Sequence, residues 1–249
     1  MMTNVTAVIQ ARVGSTRLPG KVMYPLDGDP VLEQITKRVS RADCIGDVVV
    51  ATSTEPQDDV IAEYMQTLGT PVVRGSETNV LSRFERVVEQ YEPDILLRLT
   101  GDNPLVSIQF IEACVDQIRT QSVDYVSEGP DRTFPLGSSC EAFTADSFDR
   151  VCASATDSRY REHVTVHYKE RPEEFDTCSI ESVDLFDEQQ YQRRTDLRLT
   201  LDEPADYRLL RTVYHGVTYG DVLDLRDAIS YIDDNDISGI NSHVEQKTV

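Results

Sequence analysis

The sequence predicts an α/β fold in which a mostly parallel central sheet carries helices on both faces. Short apolar runs of strand length alternate with stretches of helical periodicity through the first half of the chain. Such alternation is typical of parallel strands joined by right-handed helical crossovers. A chain of 249 residues is long enough to bury a core of this kind without disulfide or metal cross-links. We therefore expect one domain over residues 1–240 and a frayed tail over residues 241–249.

The individual elements are predicted from local patterns. Strands are expected where short runs are mainly apolar, at residues 5–10, 47–52, 71–74, 94–99, 123–127 and 196–201. Helices are expected where apolar residues recur every three or four positions, at residues 31–41, 58–68, 80–91, 108–120, 145–154, 158–170 and 219–236. The segment 129–139 is rich in Gly, Pro and Ser and indicates a loop. The chain thus divides into a regular half, about 1–128, and a less regular half, about 129–240.

Composition narrows the possible functions. The formal net charge is -20 and the isoelectric point about 4.5, so the mean electrostatic field repels nucleic acid and anionic membranes. No apolar stretch approaches the roughly 18 residues of a membrane span, and the five cysteines form no CxxC pair. These features predict a cytoplasmic protein without disulfides or zinc. The 26 Asp against 4 Lys resemble proteins of salt-adapted organisms, and an ordinary acidic protein is the alternative.

A basic segment near the N-terminus nevertheless predicts an anionic ligand. Residues 1–26 contain Arg12, Arg17 and Lys21 but no acidic residue. In "VIQARVGSTRLPGK" (8–21), two glycines and a Ser-Thr pair expose hydrogen-bond donors just after the first predicted strand. Parallel sheets bind ligands at the carboxyl ends of their strands, so this segment indicates a polyphosphate site. The alternative is a solvated loop whose basic residues are incidental.

Two common nucleotide-binding motifs do not fit this segment. A P-loop, GxxxxGK[ST], has four residues between its glycines and a Ser or Thr after its Lys. Here five residues separate Gly14 from Gly20, and Val22 follows Lys21. The dinucleotide-binding GxGxxG is also absent. The sequence therefore argues against an ordinary P-loop NTPase.

A series of segments along the chain carries a family resemblance. The first is "IQARVGSTRLPGKVMYPLDGDPVLEQITKRV" (9–39). It is followed in order by "VVVATSTEPQDD" (48–59), "VVRGSETNVLSRF" (72–84), "LLRLTGDNPL" (96–105), "RTFPLGSSCEAF" (132–143), "REHVT" (161–165) and "LRLTLDEPADY" (197–207). The chain resembles the cytidylyltransferases that make CMP-activated acidic sugars, in the branch of spore coat polysaccharide biosynthesis protein F, related to the acylneuraminate and 3-deoxy-manno-octulosonate (Kdo) enzymes. The resemblance implies a nucleotide-diphospho-sugar transferase fold, Rossmann-like and similar to GT-A, and a homodimer.

The resemblance also implies a reaction. CTP and a nonulosonate-type sugar acid would give a CMP-sugar and pyrophosphate, for surface polysaccharide or glycan biosynthesis. Such a displacement needs charge neutralisation more than covalent catalysis. By motif position, Arg12 and Lys21 would hold the triphosphate and act in catalysis. The other nucleotide-binding positions that it implies are Gln10 and Ala11, near the base, with Gly14, Ser15 and Arg17.

Two aspartates are candidate metal ligands. Asp102 in "TGDNP" and Asp202 in "TLDEP" match the positions where the family binds Mg²⁺, which prefers carboxylate and phosphate oxygens. The resemblance thus implies Mg²⁺ as cofactor and Asp102 as a catalytic residue. The alternatives are a surface charge or, for Asp202 before Glu203 and Pro204, a helix N-cap.

The less regular half would face the acceptor sugar. Arg132, Arg161 and His163 are the expected acceptor-binding residues, because an arginine fork matches a carboxylate. His163 and His167 lack the Glu of a metal-binding HExxH. Arg98 is open between a ligand contact and a buried ion pair. In "PLGSSCEAF" the branch pattern has acidic residues at 136 and 139, where this chain has Leu and Ser, so the acceptor's identity stays open.

Three functions are therefore weighed. The first is the CMP-sugar-forming enzyme, with CTP and a small sugar acid as its partners and with neither nucleic acid nor membrane. The second is a sugar transferase or a nucleotidyltransferase for another NTP, since a fold does not fix chemistry. The third is a nucleotide-binding regulator without turnover, which the presence of both candidate metal ligands disfavours.

Overall fold

A seven-stranded sheet forms the centre of the molecule. A computed structural model of the chain describes residues 3–246. The strands are β1 (Val5–Gln10), β2 (Pro25–Leu26), β3 (Asp29–Pro30), β4 (Asp47–Ser53), β5 (Val72–Gly75), β6 (Ile95–Thr100), β7 (Tyr125–Ser127), β8 (Glu141–Thr144) and β9 (Thr177–Ser179). The order in the main sheet is β5-β4-β1-β6-β8-β7-β9, while β2 and β3 pair separately. Only β8 runs antiparallel to its neighbours in that sheet, which confirms the mostly parallel sheet.

Helices cover both faces of the sheet. They are α1 (Val31–Val39), α2 (Asp59–Thr67), α3 (Leu81–Tyr91), α4 (Ile108–Gln121), α5 (Ala145–Ser154), α6 (Ser158–Glu162), α7 (Val166–Glu170), α8 (Ser182–Leu185), α9 (Pro204–Gly216) and α10 (Leu225–Asp234). Successive side chains of a strand point to opposite faces. Accordingly Ala7 and Ile9 belong to the core that includes α1 and α4, while Val8 belongs to the core that includes α3 and α5. No helix within residues 3–246 is long and apolar enough to cross a membrane.

The predicted strand at 196–201 is wrong. This segment forms only one isolated bridge, between Leu136 and Arg198. Its alternating leucines are buried as a strand's would be, but its backbone bonds to loops: Leu199 N donates to Leu136 O at 2.7 Å and Leu201 N to Asp102 O at 2.8 Å. The extended segment therefore lies across the end of the sheet, where it brings the late part of the chain to β6.

Three other expectations need correction. The helix predicted at 158–170 is two short helices, because His163 leaves helical geometry with φ -110° and ψ 82°. The helix predicted at 219–236 begins only at Leu225, where the Asp224 side chain caps it. Asn241, expected in the frayed tail, is buried, and its Nδ2 donates to Arg198 O and to Asp206 Oδ1, both at 2.9 Å. Residues 247–249 of that tail lie outside the described residues.

The strand order creates one topological switch point. From β1 the chain moves outward to β4 and β5, then returns to place β6 on the other side of β1. The loops that follow β1 and β6 therefore diverge at the same edge and leave a crevice between them. Both the basic segment and Asp102 follow these two strands, so the fold brings them together.

Candidate active site

A cavity of about 340 Å³, which we call the first cleft, opens at the carboxyl ends of β1 and β6. The predicted site residues that line it are Gln10, Ala11, Arg12, Gly14, Ser15, Arg17, Lys21, Asp102, His163 and Asp202. Positions from the first fifth, the middle and the last fifth of the chain thus meet in one place. Arg132 and Arg161 do not line the first cleft.

The basic segment folds into a compact loop. The backbone N–H groups of Ser15 and Gly20 both donate to Val13 O, at 2.7 and 2.9 Å. Gly20 has φ 74°, a left-handed conformation that a residue with a Cβ adopts at a cost. Across the cleft floor, a Cβ on Gly101 would lie 2.9 Å from Ala11 Cβ, so only glycine permits this close approach of the two loops.

Lys21 bridges the two candidate metal ligands. Its Nζ lies 2.6 Å from Asp102 Oδ2 and 2.9 Å from Asp202 Oδ1. The side chain is only 10% exposed. Burial lowers the pKa of Lys21, but the two carboxylates outweigh it and raise the pKa above its ordinary value. The ammonium therefore stays charged and pairs with two carboxylates at once.

Every carboxylate oxygen of this pair has a partner. Asp102 Oδ1 accepts a hydrogen bond from the Thr100 hydroxyl at 2.6 Å. Asp202 Oδ1 also pairs with Arg17 Nη2 at 2.9 Å, and its Oδ2 accepts from Arg198 Nη2 at 2.7 Å. Burial opposes the charge on Asp202, but the cations around it lower its pKa. The site thus presents two carboxylates whose oxygens are already paired within the protein.

Asp202 is not a helix cap. The N-cap of α9 is Glu203, and Asp206 accepts the backbone N–H groups of Asp202 and Glu203, both at 2.9 Å. Arg198 Nε donates to Asp206 Oδ1 at 2.9 Å. Arg198 and Asp206 therefore fix the position of Asp202 from behind. Sequence reasoning missed both residues.

The rim of the first cleft is less constrained. The Arg12 side chain is 47% exposed and has its Nη1 3.6 Å from Glu77 Oε1. Below it, Arg83 on α3 is buried and donates from Nη1 to Ala51 O at 3.1 Å. Burial, and next the charge of Arg12, lower the pKa of Arg83 to about 10. Arg83 is a lining cation that the sequence conceals, because its position resembles the polar face of an amphipathic helix.

Asp102 and Asp202 form a donor set that fits one divalent ion. Asp102 Oδ2 and Asp202 Oδ1 both accept a hydrogen bond from the Lys21 ammonium, at 2.6 and 2.9 Å. The distance between these two oxygens therefore cannot exceed the sum of those distances. Two carboxylates, completed by phosphate oxygens and water, are a common Mg²⁺ environment. Within residues 3–246 no group of three or more His, Cys, Asp or Glu side chains could hold a metal ion, so a metal at this pair would need ligands from outside the protein.

A smaller cavity of about 200 Å³, the second pocket, adjoins the first cleft and shares Thr100 with it. Arg98 lies between the two: its Nε donates to Gln10 Oε1 at 3.0 Å, and its Nη1 pairs with Glu141 Oε2. Arg98 thus forms the expected ion pair while half-buried, and because it also lines the second pocket the ligand-contact alternative stays open. Lys169 Nζ lies 2.7 Å from Glu141 Oε1, so a lysine that sequence reasoning passed over borders this pocket.

The three residues predicted to bind the acceptor sugar lie in different parts of the structure. Arg161 is exposed and its Nε donates to Ala155 O at 3.2 Å, so the structure places it outside both cavities. Arg132 Nη2 donates to Thr195 O at 3.0 Å, and its charge reaches Glu128 in the second pocket. His163 lines the first cleft, where burial lowers its pKa.

The comparisons with known proteins agree on one family. A family model described as cytidylyltransferase matches residues 6–228. Protein MJ1063 of Methanocaldococcus jannaschii is 36% identical over 245 residues, 98% of this chain and 97% of that one. Spore coat polysaccharide biosynthesis protein SpsF of Bacillus subtilis is 33% identical over 222 residues, 86% of this chain and 87% of that one. A cytidylyltransferase structure from Leptospira borgpetersenii superposes with a TM-score of 0.86 at 27% identity, covering 99% of this chain and 100% of its own.

Shorter matches involve enzymes named for specific sugar acids. The 3-deoxy-manno-octulosonate cytidylyltransferase of Geobacter sulfurreducens is 34% identical over 115 residues, 45% of this chain and 44% of its own. The 8-amino-3,8-dideoxy-manno-octulosonate cytidylyltransferase of Shewanella piezotolerans is 35% identical over 117 residues, 45% of this chain and 46% of its own. These relatives are therefore similar to less than half of the chain.

Proposed function

This chain belongs to the cytidylyltransferase family, and on that premise we propose that it transfers CMP from CTP to a hydroxyl of a sugar acid. The observation that carries the proposal is the constellation of Lys21, Asp102 and Asp202 in a cleft whose rim is basic. A protein with a net charge of -20 concentrates Arg12, Arg17, Lys21 and Arg83 around one cavity. Such a local reversal of charge suits a nucleoside triphosphate.

The proposed reaction is a displacement at the α-phosphorus. The sugar hydroxyl oxygen forms the new P–O bond, and the bond from the α-phosphorus to the bridging oxygen breaks. Pyrophosphate leaves with the electron pair of that bond, and the hydroxyl proton goes to bulk water. No covalent intermediate with the protein is needed, so the protein contributes position and charge compensation.

The basic residues divide this work according to their burial. Lys21 is buried and Arg17 half-buried, and both already bind carboxylates, so they can turn toward phosphate oxygens while remaining in the cleft. Arg12 on the exposed rim can attract the triphosphate and bind its outer phosphates. Arg83 adds a fixed positive charge beneath the rim.

We further propose Mg²⁺ as the metal cofactor, held by Asp102 and Asp202. When bound, the ion would neutralise charge on the phosphates during the displacement. Arg198 and Asp206 would keep Asp202 oriented, because they hold it through its Oδ2 and its backbone N–H. Thr100 would orient Asp102 in the same way.

The second pocket is the proposed place of the acceptor. It opens beside the first cleft, and its lining mixes cations with hydroxyl, amide and carboxylate groups, as a sugar acid requires. The name of SpsF supports a role in polysaccharide biosynthesis.

A homodimer and a cytoplasmic location complete the proposal. Sedimentation velocity tests the homodimer, and immunolocalisation or fractionation tests the cytoplasmic location.

A pyrophosphate-release assay tests the function. Each of the four ribonucleoside triphosphates is combined with Mg²⁺ and each member of a panel of sugar acids. We expect release only from CTP, and only with an acceptor present. Release from another triphosphate would favour a nucleotidyltransferase of different specificity. The absence of release, with CTP still raising the melting temperature, would favour a nucleotide-binding regulator.

A further inference from the structure

The second pocket contains buried polar atoms without a partner. Among the described residues, no group donates a hydrogen bond to Glu128 Oε2 or to Asn103 Oδ1, and both atoms are inaccessible. Both residues line the second pocket. A buried acceptor that no donor reaches costs free energy comparable to a lost hydrogen bond. Because both residues line one cavity, a turn of either side chain toward the cavity would present its oxygen to a ligand that supplies a donor.

The other carboxylate of the second pocket shows the contrast. Glu141 Oε1 accepts from Tyr125 Oη at 2.6 Å and faces Lys169, while its Oε2 accepts from Thr165 Oγ1 at 2.8 Å and pairs with Arg98. Burial opposes its charge, but these partners lower its pKa. Glu141 is therefore a structural anion that organises the wall. Glu128 is the carboxylate left available to a ligand.

The charges that face Glu128 come from several elements. They are Arg132 on its own loop, Lys169 on α7, Glu141 on β8 and Arg98 on β6. Burial raises the pKa of Glu128 to about 7, although Ser139, Arg132 and Lys169 act in the opposite direction.

We propose that Glu128 determines acceptor specificity by accepting a hydrogen bond from a hydroxyl or ammonium group of the sugar acid, with Asn103 as a second acceptor. This inference rests on the proposed function and adds the chemistry by which the acceptor is recognised. Ser139, which stands where an acidic residue was expected, lies next to Glu128 in the same pocket. The Ser139 hydroxyl hydrogen-bonds the Glu128 carboxylate, while Glu128 Oε2 has no partner among the described residues.

Two sugar acids that differ in a single group can distinguish a hydroxyl donor from an ammonium donor. 3-Deoxy-manno-octulosonate and 8-amino-3,8-dideoxy-manno-octulosonate differ by a hydroxyl and an amino group at one carbon, and both belong in the panel. Glu128→Gln keeps the size of the side chain and removes its charge. Glu89→Gln, at an exposed position of α3, is the control.

We expect Glu128→Gln to lower kcat/KM for the best acceptor about 10- to 100-fold, the range for one hydrogen bond to a charged group. The KM for CTP should stay within about twofold, which also shows that the variant is folded. A larger loss with an amino-bearing acceptor identifies an ammonium donor, and equal losses identify a hydroxyl. Equal kcat/KM for Glu128→Gln, Glu89→Gln and wild type would overturn the inference alone. No release by wild type with any acceptor would overturn the proposed function and the inference together.

Discussion

The first cleft and the second pocket share Thr100, but among the described residues they leave different kinds of buried atom without a hydrogen-bond partner: nitrogen donors of Arg17 and Arg83 in the first cleft, and acceptor oxygens in the second pocket. In the first cleft, each oxygen of Asp102 and Asp202 already accepts from a neighbouring side chain. In the second pocket, Glu128 and Asn103 leave acceptor atoms without a partner. The first cleft thus exchanges internal ion pairs for a charged ligand, whereas the second pocket gains hydrogen bonds that it lacked. The difference suits a common nucleotide in one cavity and a selected acceptor in the other.

The largest expected effect is the loss of a carboxylate from the first cleft. Asp102→Asn keeps the shape but removes charge from the proposed metal site, so kcat should fall about 10²-fold or more, equivalent to ~2.7 kcal/mol or more of barrier. Asp202→Asn should behave similarly, and the double variant should be far from additive if both serve the one proposed ion.

The control for these variants is Asp146→Asn, whose side chain is 94% exposed. Rates are measured at several Mg²⁺ concentrations. Near wild-type kcat for both variants at limiting Mg²⁺ would remove the metal assignment and the contrast that depends on it.

Lys21→Met should have a smaller effect, and it should strengthen metal binding while it weakens CTP binding. Lys21 occupies the oxygens that a metal needs, so nucleotide-free protein should bind Mn²⁺ about 10-fold more tightly without it. The KM for CTP should rise by a similar factor, since the proposed phosphate-binding cation is lost. Electron paramagnetic resonance measures free Mn²⁺, with Lys37→Met as the control because Lys37 is an exposed ion-paired lysine. Unchanged Mn²⁺ affinity would show that Lys21 does not compete with the metal.

The pH dependence of stability should distinguish Glu128 from its neighbours. Its pKa is about 7 in the fold against an ordinary 4.5, so the folded state binds more protons between these values. Stability from this group is therefore complete below about 4.5 and is lost as pH rises through 7. Glu128→Gln should gain stability relative to wild type across that window, on the order of 2 kcal/mol. Urea denaturation at pH 5, 6, 7 and 8 measures it; a constant difference would contradict the raised pKa.

The smallest effect on stability, counted for each charged side chain, should come from added salt. Near 1 M ionic strength the screening length is about 3 Å, which removes most repulsion among the surface acids of a chain with 26 Asp and 4 Lys. The melting temperature should rise from dilute buffer to molar KCl. A flat or falling temperature would argue for an ordinary acidic protein.

The two cavities also differ in how far the sequence reveals them. Strands such as β1 and β6 are buried on both faces, so each is a continuous apolar run that can be recognised. The missed strand β8 begins with Glu141, whose charge is compensated only by residues distant in sequence. The false strand at 196–201 has the alternation of a strand, and only the tertiary structure shows that its backbone pairs with loops.

The same reason explains which site residues were predicted. Those of the first cleft lie in contiguous motifs, so their order and spacing were informative. Arg198 and Asp206 act through Asp202, and Glu128 becomes distinctive only because the surrounding partners bond to Glu141 instead. Such roles depend on what the fold leaves unpaired, which no local pattern encodes.

The division of labour between the cavities is tested most directly by calorimetric titration of Mg²⁺–CTP into wild type, Arg12→Ala and Glu128→Gln. We predict that Arg12→Ala weakens CTP binding about 10-fold, since it removes a charge from the rim of the first cleft. Glu128→Gln should leave the dissociation constant within about twofold of wild type. Equal weakening by both variants would contradict the assignment of CTP to the first cleft and of the acceptor to the second pocket.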